Sequence, residues 1–300
     1  MAPTVLQQKE AGEEDVVVVV VGAGIAGLAV ALGLHRKGVK CRVLESSPEL
    51  RASGFAIATW RNALQALDAL GGKRGPNEML CVRRDWLLRA LEEELPNGTI
   101  RYSSKIPSYS GRLATRGLAS IDRCVAALDD DALAKKKQFV LTKLRSAEIP
   151  AEVMEVIERS DAKHVLTAPL RFRPPLSLLL ASIRKGNVCV AGDALHPMTP
   201  DLGQGGCAAL EDGVVLARCL GDAILGGGGG GAESERIEAG LREYARIRRW
   251  RSAELIGTAY VVGFMQESSN AVISFLRDNW LARALVRKLL KMADYYCGKL

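Results

Sequence analysis

Residues 16–45 read VVVVVVGAGIAGLAVALGLHRKGVKCRVLE and carry the strongest fold signal in the chain. The six valines Val16–Val21 favour a strand, because branched side chains suit the pleated backbone. No polar residue alternates with them, so the run predicts a parallel strand covered on both faces. Gly22, Gly24 and Gly27 follow as GxGxxG. The first glycine permits the tight turn, the second lets backbone approach a pyrophosphate, and the third lets a helix pack closely on the strand. Residues 24–37 read as that helix, ending near Gly38, and Lys40–Leu44 as a second strand, which completes a βαβ unit. A dinucleotide's phosphates then sit at the helix N-terminus, where free N–H groups and the dipole favour negative charge. Glu45 lies 18 residues beyond Gly27, at the distance where a carboxylate accepts ribose hydroxyls. An acid there disfavours a 2′-phosphate, so NADP is not expected in this site; the fingerprint leaves NAD and FAD open. The uncharged run Val16–Leu34 is also just long enough to span a bilayer. Against that reading, the valines favour a strand and the glycines break the run.

Outward from this unit, residues 60–70 and 81–95 have helical spacing. Pro96-Asn97-Gly98 is a turn, and Thr99–Ser104 a short strand. Residues 129–160 read as two helices broken at Pro150, and residues 233–296 as mostly helical. Six glycines, Gly226–Gly231, form a linker without folding information. The second informative stretch is NVCVAGDALHPMTPDLGQGGCAALEDGVVLARCL, residues 187–220. A short apolar strand ends in Gly192-Asp193, and a glycine-rich loop then opens a helix from Cys207. That loop is a second helix N-terminus offered to an anionic or electron-rich group. Asp193, directly after the strand, is placed to hydrogen-bond a polyol chain. A capping aspartate explains the Gly-Asp pair but not the GQGG loop.

With both motifs in hand, the chain resembles the single-component FAD-dependent monooxygenases, a family that includes p-hydroxybenzoate hydroxylase, salicylate hydroxylase and zeaxanthin epoxidase, and is most similar to its plant subgroup. The resemblance rests on GAGIAG with Glu45, RASGFAIATWRNALQALDALG, VRRDWLLRAL and GDALHPMTPDLGQGGCAALEDG, and covers about two-thirds of the chain. It implies FAD as cofactor and NAD(P)H as transient reductant, with one atom of O2 passed to substrate. Glu45 then binds the adenosine ribose. Arg51 and Arg84 approach the ribose–pyrophosphate region. Asp193 holds the ribityl or pyrophosphate side, and Pro197 lies beside the isoalloxazine. Gly203, Gln204, Gly205 and Gly206 bring backbone N–H groups to the flavin pyrimidine, where reduced flavin carries negative charge. Asp212 matches a helix position that is structural, and His196 is read as local structure, not an acid–base group.

Two parts of the family pattern are missing. An Asp-Gly pair followed by Ser is not found, because residues 105–118 pass straight from TIRYSSKI to ATRGLAS. After IDRCVAAL the chain moves at once to the helix DDDALAKKKQFVLTKL, where strands of the substrate-binding sheet belong. The predicted class is therefore α/β. A discontinuous Rossmann-like FAD-binding domain occupies 15–104 and 186–225, a reduced substrate-domain remnant 105–185, and a C-terminal helical segment 232–300.

Composition narrows the alternatives. With 48% hydrophobic and 25% charged residues, the chain reads as a globular protein with a sizeable core. Its net charge is +7, but the densest basic run, Arg242–Arg251, reads as a solvated helix face, so no nucleic-acid partner is expected. Seven scattered cysteines without a CxxC pair point to a reducing compartment, here the cytoplasm, and to neither disulfides nor zinc. Three histidines, His35, His164 and His196, lack ligand spacing, so no metal is expected. The polar, acidic start MAPTVLQQKEAGEED has no signal or transit character, although relatives include plastid enzymes. No Ser-His-Asp, Cys-His or paired-carboxylate set suggests other chemistry. The leading expectation is a monooxygenase acting on an aromatic or isoprenoid-like small molecule. Competing with it are an FAD-binding protein impaired in catalysis, a nicotinamide dehydrogenase, and a peripheral membrane protein docking through its basic C-terminal helices.

Overall fold

In the computed structural model, the residues described are 18–50, 56–72, 79–105, 130–147, 149–161, 172–226, 232–268, 270, 274, 275, 279 and 281–300. The chain divides into two compact units, 1–117 with 171–300, and 118–170.

The larger unit begins with strand β1 (Val18–Val21), helix α1 (Ile25–Arg36) and strand β2 (Cys41–Leu44). β1 and β2 pair in parallel from Val18 opposite Cys41 to Val21 opposite Leu44, and β5 (Ile100–Arg101) adds in parallel beside β2. Between β2 and β5 lie β3 (Ala56–Thr59), α2 (Arg61–Ala69), β4 (Leu80–Arg83) and α3 (Arg84–Glu93). β3 and β4 form an antiparallel pair of their own. This corrects the helix expected from residue 81: its first turn is strand, because Leu80–Arg83 finds backbone partners in β3 that helical spacing alone does not reveal.

A second correction concerns β1. It is not covered on both faces: Val18 and Val20 pack towards the core, whereas Val19 is 57% and Val21 68% exposed. A run of valines satisfies a strand with one covered face as well as one with two, since the backbone preference is the same.

The core sits between α1 and α7 (Gly205–Leu225). Their contact is made by small residues. A Cβ on Gly213 would stand 2.3 Å from the Ala29 Cβ, and one on Gly33 would stand 2.5 Å from the Ala217 Cβ. The pairing of 29 with 213 and 33 with 217 means that the two helices run in the same direction. α6 (Pro175–Leu180) packs against the long α8 (Glu233–Glu267), which also lies along α7. Arg249 on α8 donates to the carbonyls of Leu178, Leu179 and Ala181, satisfying the orphan acceptors at the end of α6. The strand expected at 187–191 is the short β7 (Val188–Cys189), paired antiparallel to β6 (Arg184–Lys185). α9 (Ala282–Ala293) closes the unit. Among the described residues, no helix is long and apolar enough to cross a membrane, and Val18–Arg36 is a strand followed by a helix.

The smaller unit contains α4 (Asp130–Ser146) and α5 (Ala151–Arg159). Lys137 on α4 donates to the carbonyls of Glu158 and Ser160, and Arg145 pairs with Glu158 at 2.6 Å.

Candidate functional site

Parallel alignment of α1 and α7 puts both N-termini at one end of the larger unit. A cleft of about 690 Å³ opens there. Gly22, Gly24 and Gly27 line it from the first turn, Ile57 and Ala58 from β3, Arg84 from α3, and Asp193, Gly203, Gly205 and Gly206 from the second motif. Neither N-cap residue makes a side-chain cap bond, so among the described residues the first-turn N–H groups of both helices face this end without a side-chain acceptor. Two positive dipole ends on one cleft favour an anionic ligand such as a pyrophosphate.

The three glycines of the first motif do different work. Gly22 has φ +98°, which the tight turn needs. A Cβ on Gly27 would lie 2.0 Å from the Gly22 carbonyl oxygen, so this glycine serves close packing. A Cβ on Gly24 would meet no protein atom within 4 Å. Its absence is not required by packing; it leaves room on the cleft side for a ligand to approach the backbone. These features, with a volume inside the ~300–1,000 Å³ span of cofactor sites, fit a dinucleotide.

The remaining sequence-predicted residues take varied positions. Glu45, buried at the end of β2, accepts the Ala23 N–H at 2.8 Å and, on its other oxygen, the Ser47 N–H at 2.8 Å. It therefore ties the first turn to the segment after β2. Gln204 turns away from the cleft, with its side-chain oxygen accepting from Asn62 at 2.9 Å. Pro197 is not among the cleft residues, and its carbonyl accepts the Arg173 N–H at 3.0 Å. Met198, Thr199 and Pro200 line the cleft instead. Arg51 lies outside the described residues.

Behind the cleft is a buried ionic network. Arg248, at the centre of the basic run on α8, is fully buried, and Arg251 nearly so. This corrects the reading of that run as a solvated face; only part of it, such as Arg242 and Arg246, is exposed. Arg248 donates to Asp212 Oδ1 at 2.5 Å and to Glu211 Oε2 at 2.6 Å, and Arg251 donates to Glu211 Oε1 at 2.8 Å. Burial alone would raise both carboxyl pKa values. For Asp212 the His196 ring and Arg248 outweigh it and hold the carboxyl down to about 2; for Glu211 the two arginines outweigh it. His196 Nε2 lies 2.7 Å from Asp212 Oδ2, which supports the local structural role expected for it. Burial pushes the Cys207 and Cys189 thiols up to about 12, so neither is a nucleophile at neutral pH. Among the described residues, no His, Cys, Asp and Glu group forms a metal site.

One signal for this network was present in the sequence. Glu211-Asp212 stands inside CAALEDGVVLARCL, a helix apolar on nearly every side, where a charge has to be buried.

This fold and site define a flavin-type dinucleotide-binding protein, and comparison with known proteins carries the assignment further. The FAD dependent oxidoreductase family model matches residues 17–198, and an FAD binding domain model matches residues 145–256. Monooxygenase 2 of Arabidopsis thaliana is 36% identical, with 97% of this chain and 99% of that protein covered. The chloroplastic zeaxanthin epoxidase of Nicotiana plumbaginifolia is 32% identical over 40% of this chain and 18% of its own length. In fold, Klebsiella pneumoniae HpxO complexed with FAD and uric acid superposes with a TM-score of 0.66 at 20% identity, covering 92% of this chain and 95% of that one. The chain belongs to the FAD-dependent monooxygenase family. The alignment with the Arabidopsis protein runs over 408 positions against a chain of 300 residues, so more than a hundred positions of that relative face no residue here.

Proposed function

We propose that the cleft between the α1 and α7 N-termini holds FAD and that the protein is a monooxygenase taking electrons from NAD(P)H. The carrying observation is the convergence of two uncapped, parallel helix N-termini on one cleft whose Gly24 wall is open. Bound FAD would supply the redox chemistry with O2, and the protein's own task is to bind, orient and exclude water. Gly22 shapes the turn, Gly24 leaves the clearance through which a pyrophosphate reaches the first-turn N–H groups of α1, and Gly27 lets that helix pack close, with Arg84 at the cleft wall. Glu45, held rigid by Ala23 and Ser47, stands for the adenosine ribose, and Arg51 joins this end by motif position. Asp193 takes the ribityl or pyrophosphate side. The turn Gly203-Gln204-Gly205-Gly206 brings the first N–H groups of α7 to the flavin ring, where the helix stabilises negative charge. The substrate class is an aromatic or isoprenoid-like small molecule. A reducing compartment such as the cytoplasm suits the six free cysteines among the described residues.

The test is direct. The purified protein is expected to be yellow, with a flavin absorption band released on denaturation; a colourless, folded protein that does not take up added FAD overturns the reading.

A second reading is favoured by a specific observation: more than a hundred positions of the Arabidopsis relative have no counterpart here. Under it the chain binds FAD but turns over poorly. Substrate-stimulated NAD(P)H oxidation with any member of an aromatic panel counts against this second reading; flavin binding without stimulation supports it.

A further inference from the structure

The second half of the cleft is held from behind. Asp212 Oδ2 accepts the backbone N–H of Gly192 at 2.7 Å and faces His196 Nε2 at the same distance. An ionised carboxylate only accepts, so His196 is the donor. Glu211, the adjacent residue, accepts from the Asn62 amide at 2.6 Å, and that amide also donates to Gln204 at 2.9 Å. The segment 192–204, which supplies Gly192, Asp193, Met198, Thr199, Pro200 and Gly203 to the cleft, is thus fastened at its start, at His196 and at its end. The fastening at the start matters most. Gly192 has φ +59°, and a Cβ there would stand 2.7 Å from that of Ala26. The Gly192 carbonyl accepts the Leu195 and His196 N–H groups within the same turn, and the bond to Asp212 is the one that ties this turn, and Asp193 with it, to α7.

We propose that Asp212 and His196 are positioning residues for FAD, acting through the Gly192 peptide on the placement of Asp193. The inference rests on the reading of Asp193 as a cofactor residue. A general role in the core does not require Asp212 to accept from the backbone N–H of a cleft-lining turn. Buried ion pairs are also poor stabilisers relative to apolar residues of the same shape.

FAD dissociation constants, measured by quenching of flavin fluorescence on full-length protein checked by circular dichroism, test it. His196→Leu, which removes the donor, is expected to weaken FAD about tenfold, the size of an ordinary coupling between groups in one network. His196→Gln, which keeps a donor, is expected to restore most of that affinity. In an Asp193→Ala background the His196→Leu change is expected to add little. An unchanged affinity in folded His196→Leu overturns the proposal. Full additivity with Asp193→Ala also overturns it, since that marks general loosening. Should His196→Leu fail to fold, the isosteric Asp212→Asn serves in the same cycle, with the same two outcomes. An Asp193→Ala protein that binds FAD as tightly as the parent removes the reading of Asp193 and this route with it; weakened FAD in Asp193→Ala with none in His196→Leu removes only the positioning role.

Discussion

The two faces of β1 differ more than their sequence does. Val18 and Val20 pack onto the core built around α1 and α7, while Val19 and Val21 are more than half exposed, Val21 at the mouth of the cleft. Behind the inner face lies the densest chemistry of the molecule: two adjacent buried carboxylates, two buried arginines and a buried histidine. The other side presents apolar surface of the kind that a further layer of chain covers in doubly wound folds.

The largest effect is expected on the inner side. Arg248→Met leaves Asp212 and Glu211 without their shared partner, and is expected to destabilise by about 3–5 kcal/mol in urea unfolding, the cost of breaking a buried pair by removing one member. A loss under about 1 kcal/mol would mean that the inner side is not where stability resides. Next in size is Gly27→Ala. Its Cβ would fall 2.0 Å from the Gly22 oxygen, so backbone has to move, at a cost of about 3 kcal/mol. Gly24→Ala, which meets no protein atom, is expected to leave stability nearly unchanged and to weaken FAD instead. Equal effects of the two substitutions on stability would erase the distinction between packing and ligand clearance.

Acid provides a smaller test of the inner side. The Asp212 pKa is depressed in the folded state, from the model-compound value of 3.8 to about 2. Its contribution is therefore fully present above about pH 4 and lost as pH falls through about 2. Linkage sets that loss on the order of 2 kcal/mol. Unfolding free energies measured between pH 5 and 2 are expected to fall, with a shallower fall in Asp212→Asn. The smallest effect belongs to the outer face: Val19→Thr is expected to change stability by no more than about 0.5 kcal/mol, as exposed substitutions do. A loss above 1 kcal/mol in the same unfolding assay would show that face to be covered in solution.

Local patterns made several features legible. The GxGxxG turn, α1, β2 and Glu45 follow from short-range rules of turn geometry and helix initiation, and they stand where the spacing put them. The GDALHPMTPDLGQGG loop opening α7 was legible for the same reason, and with it most of the cleft: Asp193, Gly203, Gly205 and Gly206 all line it. The β3–β4 pair was not legible, because Ala56–Thr59 and Leu80–Arg83 show no strand pattern until they meet. Gln204 carries a loop residue's sequence context yet turns into the interior, because Asn62, 142 positions earlier, offers it a donor.

Reading residues in order was enough to place the N-terminal βαβ unit and the second helix N-terminus, since their turns and helix starts depend on residues close together in the chain. The tertiary structure alone decided that α1 and α7 run in parallel, so that two dipole ends meet at one cleft. It also decided that Arg248 is buried and not solvated, and that β1 has one bare face. Each of these depends on partners far along the chain: Gly213 against Ala29, and Asp212 against Arg248. Hydrophobic periodicity says that a residue has an inward side, but only packing says what, if anything, stands there.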